Sequence, residues 1–277
     1  MKVADHFSTS SNQKILGQAN LHAKLEAKYG KLPKYYFGIY PGIVGIEVEV
    51  EHWIGSPLTS LCWGVTKDNS LKDNGLEFIS IPLQGKSIDY ALFELQNIFE
   101  DNKNGWYFNH RCSTHVHLNV AQLGLNQLLS LISLYIRLEP WFYAYADPMR
   151  EASNFCIPLA ECALHSEDIL NNESLRSKSK YCSLGMNHLH DYGTIELRIL
   201  EGTSNWTKLR RWIVMYQKLL KYVLVNKLHT KILDFHDKTS NEDVAREVFN
   251  TLFRFLPIVP EANLRMARDS SFFFLSK

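Results

Sequence analysis

Apolar and polar positions alternate strictly along three stretches of this chain, and each stretch predicts a strand with two unlike faces. From Ile46 to Glu51 the residues Ile46, Val48 and Val50 interleave with Glu47, Glu49 and Glu51. A period of two puts each set on its own side of a sheet. His115-Val-His-Leu-Asn-Val120 sets His115, His117 and Asn119 opposite Val116, Leu118 and Val120. Thr194-Ile-Glu-Leu-Arg-Ile199 sets Thr194, Glu196 and Arg198 opposite Ile195, Leu197 and Ile199. The strands extend over Ile43–Glu51, Ser113–Val120 and Thr194–Leu200, with Pro41-Gly42 and Gly193 as openers. A shorter piece, Leu76–Ile81, follows the turn-rich Lys67-Asp-Asn-Ser-Leu-Lys-Asp-Asn-Gly and carries Glu77 on the polar side.

Between these strands the spacing turns helical. Ile88, Ala91, Leu92, Leu95, Ile98 and Phe99 predict a helix over Ser87–Asn102, ended by Asn104-Gly105. A long helix begins near Leu125, and Pro140 should kink or interrupt it. Residues 148–180 read as loop and short helix; Asn205–Leu228 and Asn241–Leu256 are amphipathic helices, the second with Asn241 as its N-cap. Residues 1–40 read as a polar extension with a short helix near Ala19–Tyr29, and 41–277 as a single catalytic domain with a helical C-terminal part. Strands with one polar face, joined by connections of very uneven length, favour an α+β fold with a mixed or antiparallel sheet backed by helices. A doubly wound parallel sheet would need strands apolar on both faces. The hydrophobic end, Ser271-Phe-Phe-Phe-Leu, should dock on the domain or at a subunit interface, which leaves room for a homo-oligomer.

Composition narrows the partners more than it names them. A net charge of +1 and a charged share of 21% give no global electrostatic reason for a nucleic-acid or membrane surface. No apolar run approaches the roughly 20 residues needed to span a bilayer, and the first residues lack the apolar core of a signal peptide, so the expected location is cytoplasmic. The five cysteines include no CxxC pair and read as reduced thiols, with Cys112 and Cys156 buried and inert. Trp53, Trp63, Trp106 and Trp206 read as core rather than as stacking partners for a base, and Lys208-Leu-Arg-Arg-Trp as the solvated face of its helix.

The polar face carries the chemistry. Half-buried strands often have wet outer faces, and any one of these strands alone could be that. Together they are not an ordinary wet face, because three carboxylates in a row repel one another. A divalent cation removes the repulsion, and carboxylate oxygens with an imidazole suit magnesium or manganese. The same HxH with a later glutamate also fits a nucleotide-independent metalloenzyme of cupin type. Arg198 beside Glu196, and the Asp68-x-Ser70 turn ahead of Glu77, favour phosphoryl transfer, where positioning and charge neutralisation do most of the catalysis. No P-loop or kinase signature is present, so the sheet itself would hold the nucleotide.

The ordered set of the Glu-x-Glu strand, the Asp-x-Ser turn with GLEF, STHVHLN, Arg150-x-x-x-Asn-Phe-Cys-x-Pro-Leu and GTIELRI with EGT resembles the amidoligase family over roughly residues 41–215. These are relatives of glutamine synthetase and glutamate–cysteine ligase, often encoded by phages and in bacterial gene clusters. The resemblance implies a glutamine-synthetase-like catalytic fold with a curved antiparallel sheet, and an ATP-dependent carboxylate–amine ligase working through an acyl phosphate. It implies two magnesium or manganese ions, one held by Glu49 and Glu77, the other by Glu47, His115 and Glu196. His117 would face a nucleotide phosphate, and Arg198 would stabilise the transferring phosphoryl group. Arg150 is the first candidate to clamp the substrate carboxylate; Lys180 is the second and, with Ser70, belongs to the nucleotide side. Amino acids, peptides or modified bases in nucleic acid would be the substrates to join. An inactive relative that keeps the fold to bind a partner is the remaining alternative.

Overall fold

The computed structural model describes residues 27–28, 42–55, 59–102, 105–227, 240–249 and 257–275. The extension over 1–40 and its helix at 19–29 therefore lie, but for two residues, outside the described residues. In chain order the described elements are β1 (Val44–Val50), β2 (Trp63–Lys67), β3 (Leu76–Ser80), α1 (Lys86–Asp101), β4 (Thr114–Asn119), α2 (Leu125–Tyr145), α3 (Asn172–Ser179), β5 (Leu184–Gly185), α4 (Leu189–Tyr192), β6 (Thr194–Leu197), α5 (Trp206–Val225), α6 (Asn241–Phe249) and α7 (Glu261–Leu275). The six strands form one open sheet in the order β2-β3-β1-β4-β6-β5, and every pairing is antiparallel. The fold is thus mixed α and β, as the two-faced strands imply.

The alternation that predicts the strands also builds the layers. Ile46, Val48, Val50, Phe78, Val116, Leu118, Ile195 and Leu197 are fully or almost fully buried on the back of the sheet, against a helical layer centred on α2 and α5. Trp212 meets both Phe142 and Tyr216 edge-to-face in that layer, and Phe142 and Tyr216 pack tilted on each other. A second aromatic cluster, with Trp53, Phe78, Phe99, Trp106 and Trp206 around it, closes the other end of the core. The tryptophans are therefore core, as their sequence context suggests. Gln217 of α5 donates to the Gly42 carbonyl at 2.9 Å and so fixes where β1 starts.

Several expectations are corrected by tertiary context. Helix α2 runs uninterrupted through Pro140, because burial of Leu138, Trp141 and Phe142 on either side outweighs the lost backbone bond. Helix α6 is capped by Ser240, whose Oγ accepts from the Asp243 N–H at 3.1 Å. Asn241 instead turns inward and bridges two helices, accepting from Arg137 Nε at 2.6 Å and donating to the Leu264 carbonyl at 3.0 Å. In the basic run of α5, Arg210 is buried on Asp89 of α1 rather than solvated, and Lys208 pairs with Glu201. Cys162 and Cys182 are joined as a disulfide, so the reduced-thiol reading holds only for Cys62, Cys112 and Cys156. These last three are buried, and burial pushes their thiols up, Cys112 to about 11. The terminal aromatic run docks in part: Ser271 and Phe274 are buried in α7, while Phe272 and Phe273 are half exposed.

Candidate active site

Register brings the polar residues into one cross-strand ladder. Glu49 of β1 lies opposite Glu77 of β3, Glu47 opposite His115 of β4, and His117 opposite Glu196 of β6. Antiparallel neighbours on one face sit within about 4.5–5.5 Å at Cβ, so unlike residues of distant sequence become direct partners. The His115 ring contacts both Glu47 (Nδ1 to Oε2, 3.3 Å) and Glu196 (Nδ1 to Oε1, 3.1 Å). His117 Nε2 lies 3.0 Å from Glu47 Oε1. Ser113, just before β4, donates both its N–H (2.7 Å) and its hydroxyl (2.5 Å) to Glu49 Oε2, and its Oγ lies 2.7 Å from His115 Nε2.

Two local devices make room for this ladder. Gly185 stands opposite Glu196, and a Cβ there would sit 3.1 Å from Glu196 Oε2 and from Asn187 Oδ1. Gly193 takes the left-handed conformation at φ +66°, where any side chain would strike Ala121, and turns α4 directly into β6.

Charge is balanced across the ladder, but unevenly. Burial would raise the Glu47 carboxyl, yet hydrogen bonds and charge from His115 and His117 hold it well below the usual range. Burial likewise opposes ionisation of Glu196, but His115 and Arg198 bring it to about 2. Burial and the Arg198 charge disfavour a protonated His115, and the surrounding carboxylates nevertheless raise it to about 10. On the other side, burial first and then the charge of Glu47 push Glu77 up to about 8; His115 pulls it down, and Glu49 and Asp68 each add a smaller push upward. That is the signature of a carboxylate crowded by its own kind.

Among the described residues, three groups of donors approach closely enough to share a cation, each with ligand atoms within 4.8 Å: Glu47, Glu77 and His115; Glu47, His117 and Glu196; Glu49, Asp68 and Glu77. The oxygen-rich donor set fits a hard divalent cation. Glu196 Oε2 and Asn187 Oδ1 are buried without a hydrogen-bond partner, which a cation or its water would relieve. Glu51 is not part of these groups. It is buried behind the cluster and spoken for by the Lys72 N–H at 2.8 Å, the Asn109 amide at 2.5 Å and Arg111 at 3.3 Å.

Glu47, Glu49, Glu77, His115, Glu196, Arg198, Ser70 and Lys180 all line one polar cavity of about 430 Å³. A second cavity of about 340 Å³ adjoins it, shares Glu47 and His188, and is lined by His117 and by apolar residues such as Ile43, Ile79 and Pro82. Arg198 pairs with Glu196 through Nη1 and donates from Nε to the Phe155 carbonyl at 3.3 Å. Arg150 does not join them. It is buried beneath the cavity and donates to the Ile199 carbonyl (2.9 Å) and the Arg198 carbonyl (2.8 Å), so it holds up the backbone that carries Arg198. Nothing in the sequence pattern marks Arg111, Ser113, Asn187 or His188 as site residues, and Asp68 reads there only as part of the Asp-x-Ser turn, with no ligand role. The Asp68 carboxylate accepts from the Ser70 N–H at 2.7 Å, and the Asp-x-Ser turn was its one visible signal.

The family model described as "Putative amidoligase enzyme" matches residues 65–220, more than half of the 277 residues. The chain belongs to this amidoligase family. The family match takes in Asp68, Glu77, His115, Glu196 and Arg198, while Glu47 and Glu49 precede it on β1, the strand that pairs with both β3 and β4. No curated protein matches significantly. Among solved structures, a bifunctional glutathione synthetase from Pasteurella multocida is similar at 10% identity and a TM-score of 0.45. That similarity covers 95% of this chain and 50% of the other, so this amidoligase-family chain spans about half the length of that protein. No described helix is long and apolar enough to cross a membrane.

Proposed function

We propose that the protein is an ATP-dependent carboxylate–amine ligase with a glutamine-synthetase-like catalytic sheet, forming an amide through an acyl phosphate. The observation that carries this reading is the ladder of Glu49–Glu77, Glu47–His115 and His117–Glu196, with the unpartnered buried Oε2 of Glu196 at its β6 end. Glu49, Glu77 and Asp68 would hold one magnesium or manganese ion, and Glu47, His115 and Glu196 the other. Bound there, the ions supply charge screening between the ATP phosphates and the incoming carboxylate.

The chain's own residues have separable duties in this scheme. Glu196 and the Phe155 carbonyl fix the Arg198 guanidinium, whose remaining donors face the transferring γ-phosphoryl group. Lys180 and Ser70, both in the lining of the polar cavity, suit the phosphate oxygens. The adjoining cavity has no lysine or arginine among the described residues of its lining and suits the uncharged nucleoside end, with His117 at the junction. The carboxylate takes the γ-phosphoryl group of ATP and ADP leaves; an amine then attacks the acyl carbon and phosphate leaves.

The test is thermal melting with magnesium, ATP and both together, followed by ADP release in the presence of a carboxylate panel and hydroxylamine as a general acceptor. The ligase reading expects a magnesium-dependent shift with ATP, then hydroxamate formation with some acid. A shift with metal alone and none from ATP favours the nucleotide-independent metalloenzyme instead. Nucleotide binding without turnover on any acid favours an inactive relative.

A further inference from the structure

The polar cavity has two carbon-rich side chains in a lining that is otherwise charged or hydrogen-bonding: Phe155 and Tyr181. Both are conspicuously wet, at 42% and 45% exposure. Their rings stand 6.3 Å apart and nearly perpendicular, at 70°, an edge-to-face pair that forms a corner with each ring still nearly half exposed. Single exposed aromatics are commonplace on protein surfaces. These two differ because the backbone beneath them is held from several sides. Ile157 donates to the Tyr181 carbonyl at 2.8 Å, and Ser183 donates to the Ile157 carbonyl at 2.7 Å, joining the two loops side by side. The buried Glu139 of α2 accepts from the Leu159 N–H at 2.9 Å and from the Ser183 hydroxyl, one anchor in each loop. Tyr143 bonds the Cys156 carbonyl, and Arg198 bonds that of Phe155. Exposed apolar surface on so fixed a frame is preorganised for a ligand, since little ordering entropy remains to oppose binding.

The ligand's charge follows from the neighbours. Lys180 lies 5.1 Å above the Tyr181 ring, and the Arg198 guanidinium is tethered to the Phe155 backbone. A planar ring in this corner would therefore bring a carboxylate attached to it toward cations and away from the glutamates. We infer that Phe155 and Tyr181 select the acyl substrate, and that the substrate class is an aryl-substituted carboxylic acid. This inference rests on the ligase reading for the fate of the acid, but not for its binding.

The experiment is therefore a binding measurement. Phenylacetate, 3-phenylpropionate, acetate and hexanoate are titrated into the full chain with magnesium and followed by ligand-observed NMR. The aryl acids should bind at least about tenfold more tightly than the alkyl acids, and Phe155→Ala or Tyr181→Ala should each remove most of that advantage. Tyr181→Phe should retain it. The magnesium-ATP melting shift should be unchanged in all three variants, which separates a lost contact from a collapsed loop. Equal binding of aryl and alkyl acids, or aryl binding untouched by both alanine variants, overturns the proposal. Selective aryl binding with no ADP release from any acid sinks the ligase reading and leaves this one standing.

Discussion

The two faces of this sheet are made from the same residues in alternation, yet they are complete to different degrees. Behind β1, Ile46, Val48 and Val50 are fully buried in the apolar core. In front, Glu47 and Glu196 Oε1 pair with histidines and Arg198, while Glu77 is left among carboxylates and Glu196 Oε2 has no hydrogen-bond partner among the described residues. A folding core minimises its own free energy; a face that does not is one whose stability has been traded for binding. The comparison also assigns cations. Arg198 belongs to the open face, and Arg150, a residue of the same type, belongs to the closed one.

The largest contrast expected is between Phe78→Ala and Glu196→Gln. Phe78 is fully buried, so its truncation should cost about 3–5 kcal/mol in denaturant melts. Glu196→Gln removes a buried, paired carboxylate and should cost less, about 1–3 kcal/mol, while lowering ADP-release kcat by about a thousandfold, since it removes a proposed metal ligand and frees Arg198. If both variants lose stability alike, the front face is structural and the contrast collapses.

Arg150→Ala should come next. It leaves two backbone carbonyls without a donor and should destabilise by about 2 kcal/mol, with kcat falling more than KM for the carboxylate. Arg150→Lys should recover part of the stability. A change confined to the carboxylate KM would return Arg150 to the substrate and break the comparison.

The smallest effect concerns Glu77. Its folded-state carboxyl lies near 8, above its ordinary value of 4.5, so its protonated form stabilises the metal-free fold. That stability is fully present below about pH 4.5 and is lost as pH rises through 8. Glu77→Gln should therefore melt higher than the parent at pH 8.5 without metal, by a few degrees, and equally at pH 4.5. Added magnesium should reverse the order at pH 8.5 by stabilising the parent alone.

Much of this was legible in the sequence, and the reasons are physical. Strict alternation over Ile46–Glu51, His115–Val120 and Thr194–Ile199 fixes which residues share a face, so the polar ladder's members could be named before their register was known. Trp63–Lys67 escaped because an edge strand has one neighbour and little burial to impose a pattern; only Trp63 in it is buried. Leu184–Gly185 is too short to show any period. Arg150 was assigned to substrate because a sequence shows a guanidinium's charge and hides the carbonyls that claim it. Cys162 and Cys182, separated by 20 residues with no motif between them, are brought together only by the paired loops.

The placement of β1 near the middle of the sheet has a consequence for how such a chain can diversify. Both edges of β1 are committed to ladders with β3 and β4, so inserting or deleting a residue there would throw Glu47 and Glu49 onto the wrong side and break two registers at once. The loops around Phe155 and Tyr181 carry no such double commitment. Inheritance can hold the reacting centre fixed while redrawing its guest list, two short loops at a time.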